Sequence, residues 1–328
     1  MRVVGSAATA SAQIGAGIAG HATSGSMIIA KVGGQAAAVV ILGGQAVRED
    51  GRFIARNVRW NQLFDGIKRY RKFPLLSTWS SLLNTASWQL PVLLLGVFFS
   101  PAIVGFYALG FRLLQMPMSF IGGAISQVFL QRAAAAKNEG SLTPLVESLA
   151  RRLVTIGMFP MLTLSLVGED LYTLVFGRDW AQAGVYTQIL AVWAFVWFVS
   201  SPLARLFFVL ERQELSLVIN IAIFLTRLAS LVIGGIYQNV YLALALFAAS
   251  GVLLYGFQAL VVCRCAGVPP LVPWAILGRN LLTFAPFGAV LIGLTAVNAS
   301  SLLMVAAAVA SMVIFALLVL RQEFKRQA

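Results

Sequence analysis

The residues in this chain that could do chemistry are few, and they are cations. Lys31, Arg112, Arg205 and Arg227 fall inside long apolar runs of a 328-residue sequence that is 59% hydrophobic and only 11% charged. A charge at the middle of an apolar span costs about 2.5–3.5 kcal/mol on insertion scales, so it faces a wet cavity or a partner. Arg112 and Arg227 sit deep in their runs, whereas Lys31 and Arg205 lie near enough to the ends to snorkel toward the interface. Every Asp and Glu lies outside those runs or at their edges. With no acid to pair with, the four cations point to an anionic ligand such as phosphate or pyrophosphate. Arginine suits that ligand, being always charged and able to grip two oxygens at once.

Uncharged polar residues accompany these cations at helical spacing. Arg112, Gln115, Ser119, Gly122 and Ser126 form one stripe, Ser77, Ser81, Asn84 and Ser87 a second, and Ser216, Asn220, Arg227 and Ser230 a broader third. Residues three and four apart share a helix face. A polar stripe is costly against lipid, so each should line a cavity or bond another helix. Pro91, Pro117, Pro160 and Pro202 fall within four successive runs, and Pro286 within a later one. Each frees a backbone carbonyl and permits a kink. Kinked helices around a midplane site suit an alternating-access carrier.

Other chemistries find little support. The one histidine, His21, cannot supply a histidine-based metal cluster or a Ser–His–Asp set. Cys263 and Cys265 read as a pair of free thiols, and no metal or cofactor is expected. Residues 15–20 match a G-x-G-x-x-G string, but no acid follows until Glu49, so close helix packing is the better reading. The sequon at Asn298-Ala299-Ser300 sits in a loop too short to stand clear of the membrane, and the first residues only faintly resemble a signal peptide. A net charge of +13 would suit nucleic acid if it formed a soluble basic face. The basic residues instead sit between apolar runs.

These residues must be positioned by membrane helices. A mean hydropathy of +0.87 and about ten apolar runs of about 20 residues define an all-α, polytopic transmembrane bundle. The runs are 3–20, 27–46, 78–99, 104–126, 152–168, 185–209, 215–236, 240–262, 280–297 and 301–320. Of the 24 Lys and Arg residues, nineteen fall in alternate loops on one side, and Arg178 alone falls on the other. The positive-inside rule then places both termini in the cytoplasm. Trp79, Tyr107, Tyr172, Trp180, Tyr186, Tyr237, Tyr241 and Trp274 lie near run ends, where amphipathic rings prefer the headgroup level. Residues 47–77 are the long connection. Phe53, Trp60, Leu63, Phe64, Ile67 and Tyr70 recur there between Arg and Lys, as in an interfacial amphipathic helix or an ordinary basic linker.

Several segments resemble bacterial polysaccharide-biosynthesis flippases of the multidrug/oligosaccharidyl-lipid/polysaccharide exporter superfamily. They are Lys72-Phe73-Pro74-Leu75, Leu82-Leu83-Asn84, Leu90-Pro91, Val104-Gly105-Phe106-Tyr107-Ala108-Leu109 and Arg112-Leu113-Leu114-Gln115-Met116-Pro117. Further matches are Ile125-Ser126-Gln127-Val128-Phe129, Gly168-Glu169-Asp170-Leu171-Tyr172, Phe176-Gly177 and Val209-Leu210-Glu211-Arg212-Gln213. The resemblance implies a two-lobe, MATE-like carrier. Residues 1–46 would be a remnant of the first lobe, 47–77 the linker, 78–262 a second six-helix lobe and 263–328 two extra spans with a tail. Only two runs precede the linker where the family has six, so the chain is expected to lack the first four helices.

The same resemblance implies a flippase, not an enzyme, in the bacterial inner membrane. Its cargo would be a polyprenyl-pyrophosphate-linked oligosaccharide for lipopolysaccharide, capsule or exopolysaccharide. Its partners would be membrane lipids, a glycan polymerase and glycosyltransferases, with no nucleic acid. Arg112 and Arg227, assisted by Arg205 and Lys31, would attract the pyrophosphate and acidic sugars. Asn84, Gln115, Ser119 and Asn220 would bond glycan hydroxyls. Rival readings are a membrane glycan polymerase or glycosyltransferase, a drug/cation antiporter and a non-transporting fragment. The first predicts a large outer loop, yet the longest is 169–184. The second predicts acids within the spans.

Overall fold

The structure is a computed structural model. It describes residues 72–118 and 123–327 continuously, and residues 10, 11, 14, 15, 25, 29, 31–37, 39–41, 43–45 and 48 of the N-terminal part. The chain divides into two units, Met1–Arg71 and Lys72–Ala328. In the first, every described residue is helical, and residues 31–37 with 39–41 and 43–45 follow the second apolar run. Most of run 3–20, and the linker from residue 49 to residue 71, lie outside the described residues.

The second unit is all helix among its described residues. It comprises α1 (Lys72–Phe98), α2 (Pro101–Pro117), α3 (Gly123–Glu139), α4 (Leu142–Phe176), α5 (Ala181–Leu203), the short α6 (Leu206–Val209), α7 (Gln213–Ile236), α8 (Val240–Cys265), α9 (Leu271–Ala296) and α10 (Ser301–Gln327). A 3-10 turn, Arg178–Trp180, joins α4 to α5. Among the described residues seven segments are long and apolar enough to cross a membrane, and Pro101–Met116 is a shorter apolar helix. These eight correspond to the eight apolar runs from residue 78 onward.

Two runs differ in detail from the sequence expectation. Run 104–126 covers α2 and the start of α3, with residues 119–122 between them outside the described residues, and α3 ends in a polar stretch bearing Arg132, Lys137 and Glu139. Run 152–168 is the middle of a 35-residue helix, α4. At 1.5 Å per residue that helix is longer than the hydrocarbon is thick, so its ends stand out of the apolar layer. An Arg151–Glu147 ion pair of 2.8 Å, one turn apart, secures the N-terminal part. Pro160 is accommodated inside this helix without a break.

Helices α1, α2, α5, α8 and α7 pack side by side in that order, and α7 closes back on α1. Behind this ring α4 lies along α5, and α9 and α10 lie on α4. Glycines set the closest approach. A Cβ on Gly184 of α5 would fall on the Gly168 carbonyl and Glu169 backbone of α4, and one on Gly168 would meet the Gly184 carbonyl. Lipid offers no hydrophobic force to join helices, so close van der Waals contact through small residues does that work. The last pair docks through Phe159 of α4, which stacks on Phe315 at 4.2 Å and meets Phe284 edge-on at 5.2 Å.

The turns alternate in charge. Phe99-Ser100, Tyr237-Gln238-Asn239 and residues 297–300 carry no Lys or Arg, while residues 204–212 carry Arg205 and Arg212 and Arg264 precedes the turn at 266–270. On the basic side Lys137 Nζ of α3 donates to the Val209 carbonyl at 2.8 Å, and Thr143 Oγ1 donates to the Ala266 carbonyl at 2.7 Å. Trp79, Tyr237 and Trp274 are exposed, as interfacial rings should be. Tyr107, Tyr172 and Tyr186 are instead buried between helices, packed against Phe111, Phe176 and Phe106 respectively.

Candidate functional site

Arg227 lies at the centre of the ring. It is only 1% exposed, one of the largest fully buried side chains of the described residues. The helix carrying it, α7, has no acid near this level, so its charge must be met by neighbouring helices. Its Nη1 donates to Ser87 Oγ of α1 at 3.0 Å, and its Nη2 donates to the Tyr255 hydroxyl of α8 at 2.9 Å. The guanidinium carbon lies 4.3 Å from the centre of the Trp88 ring and 5.1 Å from that of Phe247. Trp193 and Tyr255 complete the cage at 5.7 and 5.8 Å. A desolvated cation over an aromatic face gains about 2 kcal/mol or more. Arg227 Nε and Trp193 Nε1 have no hydrogen-bond partner among the described residues.

This corrects the expectation drawn from the missing acids. Arg227 is paired after all, but with hydroxyls and ring faces instead of a carboxylate. Its presence in a span therefore does not by itself imply a bound anion. The sequence stripe Ser216, Asn220, Arg227 and Ser230 does share one face of α7, and that face is turned inward.

Toward the basic side from Arg227, a cleft of about 230 Å³ opens between the same helices. Ser80, Ser81, Asn84 and Trp88 of α1 form one wall, and Ser216 and Asn220 of α7 adjoin them. Trp197 and Ser201 of α5, Tyr255 and Gln258 of α8, and Ala204, Arg205 and Phe208 beyond the end of α5 complete the lining. Among the described residues the lining holds no acid and no histidine, and Arg205 is its one charged side chain. Pro202 sits just before the point where α5 ends, and the chain turns twice there before α7 begins. That break brings Arg205 to the lip of the cleft.

The polar wall is cross-linked. Asn220 Nδ2 donates to Ser80 Oγ at 2.8 Å and to the Ser216 carbonyl at 2.9 Å, tying α7 to α1. Ser200 Oγ donates to Gln258 Oε1 at 3.0 Å, tying α5 to α8. These bonds fix the amides in place, and the two Trp rings are held by their own cluster: Trp88 and Trp197 centroids are 4.8 Å apart, and Trp197 stacks on Trp193 at 5.8 Å.

Of the residues singled out from sequence, Asn84, Asn220 and Arg205 meet in this cleft, and Arg227 lies under it. Arg112 and Gln115 are exposed on α2 and do not line it. Lys31 is exposed in the first unit, and Ser119 lies outside the described residues. Sequence reading missed Trp88, Trp197, Tyr255 and Gln258. One signal was available: Gln258 is the lone amide in the apolar run 240–262, with Tyr255 one turn before it. Among the described residues no group of His, Cys, Asp and Glu could hold a metal ion. Cys263 is buried and Cys265 exposed, and both are free.

A family model described as polysaccharide biosynthesis protein matches residues 1–185. The chain belongs to the polysaccharide biosynthesis protein family. No match was found among curated proteins or among solved structures. The family match spans the first unit and, in the second, α1 to α4 with the start of α5. It thus includes the α1 wall of the cleft, while Arg205, Asn220, Tyr255 and Gln258 lie beyond it. Family and apolar helices together make this a membrane protein of polysaccharide biosynthesis.

Proposed function

We propose that this polysaccharide biosynthesis protein is a carrier that moves a polyprenyl-linked oligosaccharide across the inner membrane. The observation that carries the reading is the cleft: amides, hydroxyls and one guanidinium collected inside an otherwise apolar membrane bundle. Polar groups in lipid are costly, and they persist where they line a path for polar cargo. Asn84 and Asn220 serve glycan hydroxyls, and Arg205 at the lip serves an acidic sugar or the phosphate that joins glycan to lipid. The reading is of a flippase and not an enzyme, since such a lining binds and releases without making or breaking bonds. It makes lipids and the enzymes that build and polymerise the repeat unit its partners. It also places the basic turns, and both termini, in the cytoplasm, so the cleft opens toward the side on which the repeat is assembled.

The test is to extract polyprenyl-linked glycans from cells with and without the gene and weigh them by mass spectrometry. A carrier predicts that one complete repeat unit accumulates when the gene is lost. An unchanged pool of lipid-linked glycans overturns the proposal.

A further inference from the structure

We propose that the cleft is a subsite for a single sugar ring, and that Arg227 acts on it through Tyr255. The proposal rests on the carrier reading above and deepens it by naming which part of the cargo the cleft recognises. Three observations carry it.

The first is the shape of the lining. Trp88 and Trp197 contribute apolar ring surface to the lining, and Asn84 and Gln258 contribute amides. A pyranose ring has this same division, with C–H groups on its faces and hydroxyls at its rim. The second is size. At about 230 Å³ the cleft is smaller than the ~300–1,000 Å³ pockets that take drug-sized ligands, so one ring fits better than a chain.

The third is the Tyr255 hydroxyl. It accepts a hydrogen bond from Arg227 Nη2 at 2.9 Å, so its own proton must point elsewhere. Among the described residues no acceptor takes that proton. Tyr255 is only 5% exposed, and it lines the cleft. A hydroxyl that accepts from a cation is polarised into a stronger donor. Arg227 thus turns Tyr255 into a fixed donor facing the cleft, and the ligand must present an acceptor oxygen there. A pyrophosphate would instead call for several free cationic donors. Arg205 is the one such group among the described residues of the lining, while Arg227 does not line the cleft and meets it through the Tyr255 hydroxyl. Arg227 is therefore a positioning residue, not an anion ligand.

The experiment uses the full chain in lipid nanodiscs and follows tryptophan fluorescence, because two tryptophans line the cleft. The probes are methyl glycosides of a panel of neutral hexoses and 6-deoxyhexoses, and inorganic pyrophosphate. At least one glycoside should quench saturably and compete with the others, and pyrophosphate should not displace it. Tyr255→Phe should weaken that binding about tenfold, the worth of one good hydrogen bond to a ligand. Tyr241→Phe, on the same helix outside the cleft, should leave it unchanged. Arg227→Lys should weaken it in the wild-type background but add nothing in the Tyr255→Phe background, because the two act as one unit. Saturable quenching by pyrophosphate alone, or by no probe, overturns the subsite. Full additivity of the two substitutions overturns the positioning role. Failure here leaves the accumulation test for transport standing, and the reverse holds as well.

Discussion

At the scale of single residues, the buried arginine is the most consequential side chain in the second unit. Its charge is held by Ser87, Tyr255 and four aromatic rings. Truncating it removes those interactions and leaves a void as large as that from a lost aromatic side chain, a class that costs about 3–5 kcal/mol. Arg227→Ala should therefore lower the thermal unfolding midpoint of the detergent-solubilised protein markedly, whereas Arg112→Ala, on an exposed side chain, should leave it in place. Arg227→Lys should fall between the two, since an ammonium cannot span Ser87 and Tyr255 in a fixed fork. The two cysteines supply a second check. Exposed Cys265 should react with a maleimide in folded protein, and buried Cys263 should react only after denaturation. Equal reactivity of the two would contradict the packing of the α8 terminus.

At the scale of elements, helix contacts depend on glycines, and one pair is decisive. Gly168 and Gly184 place the backbones of α4 and α5 against one another. Gly184→Val should abolish folding or leave a protein that aggregates on extraction, as judged by size-exclusion chromatography. Gly105→Ala, where a Cβ meets nothing within 4 Å, should be silent. Most of this level was legible in the sequence, because hydropathy and the alternation of basic loops depend on lipid rather than on tertiary detail. The exception has a local cause: α4 outran its apolar middle because Leu142, Val146, Leu149 and Tyr172 in its end turns are buried against neighbouring helices. The site was less legible. Stripes on single helices identified Asn84 and Asn220, and Arg205 was found as a charge near a span end. That these three share a cleft with Trp88, Trp197, Tyr255 and Gln258 depends on which faces of α1, α5, α7 and α8 meet. The surroundings of Arg227 were hidden for the same reason: a sequence shows which acids are absent, but not which hydroxyls and rings converge.

At the scale of the whole molecule, the ring formed by α1, α2, α5, α8 and α7 holds an aromatic core at mid-depth and a polar cleft on its basic side. Lys137 and Thr143 tie that basic side together across sequence-distant helices. If this cleft handles the lipid-linked glycan, filling it should block transport. Asn84 is an exposed side chain of the lining, so Asn84→Trp adds bulk to the cleft without disturbing buried packing. The measurement is the mass spectrum of polyprenyl-linked glycans in cells whose only copy of the gene carries this substitution, with membrane abundance and monodispersity of the variant checked in parallel. The folded variant should accumulate one complete lipid-linked repeat, as a gene deletion does. A folded, abundant variant with a lipid-linked pool identical to wild type would contradict it.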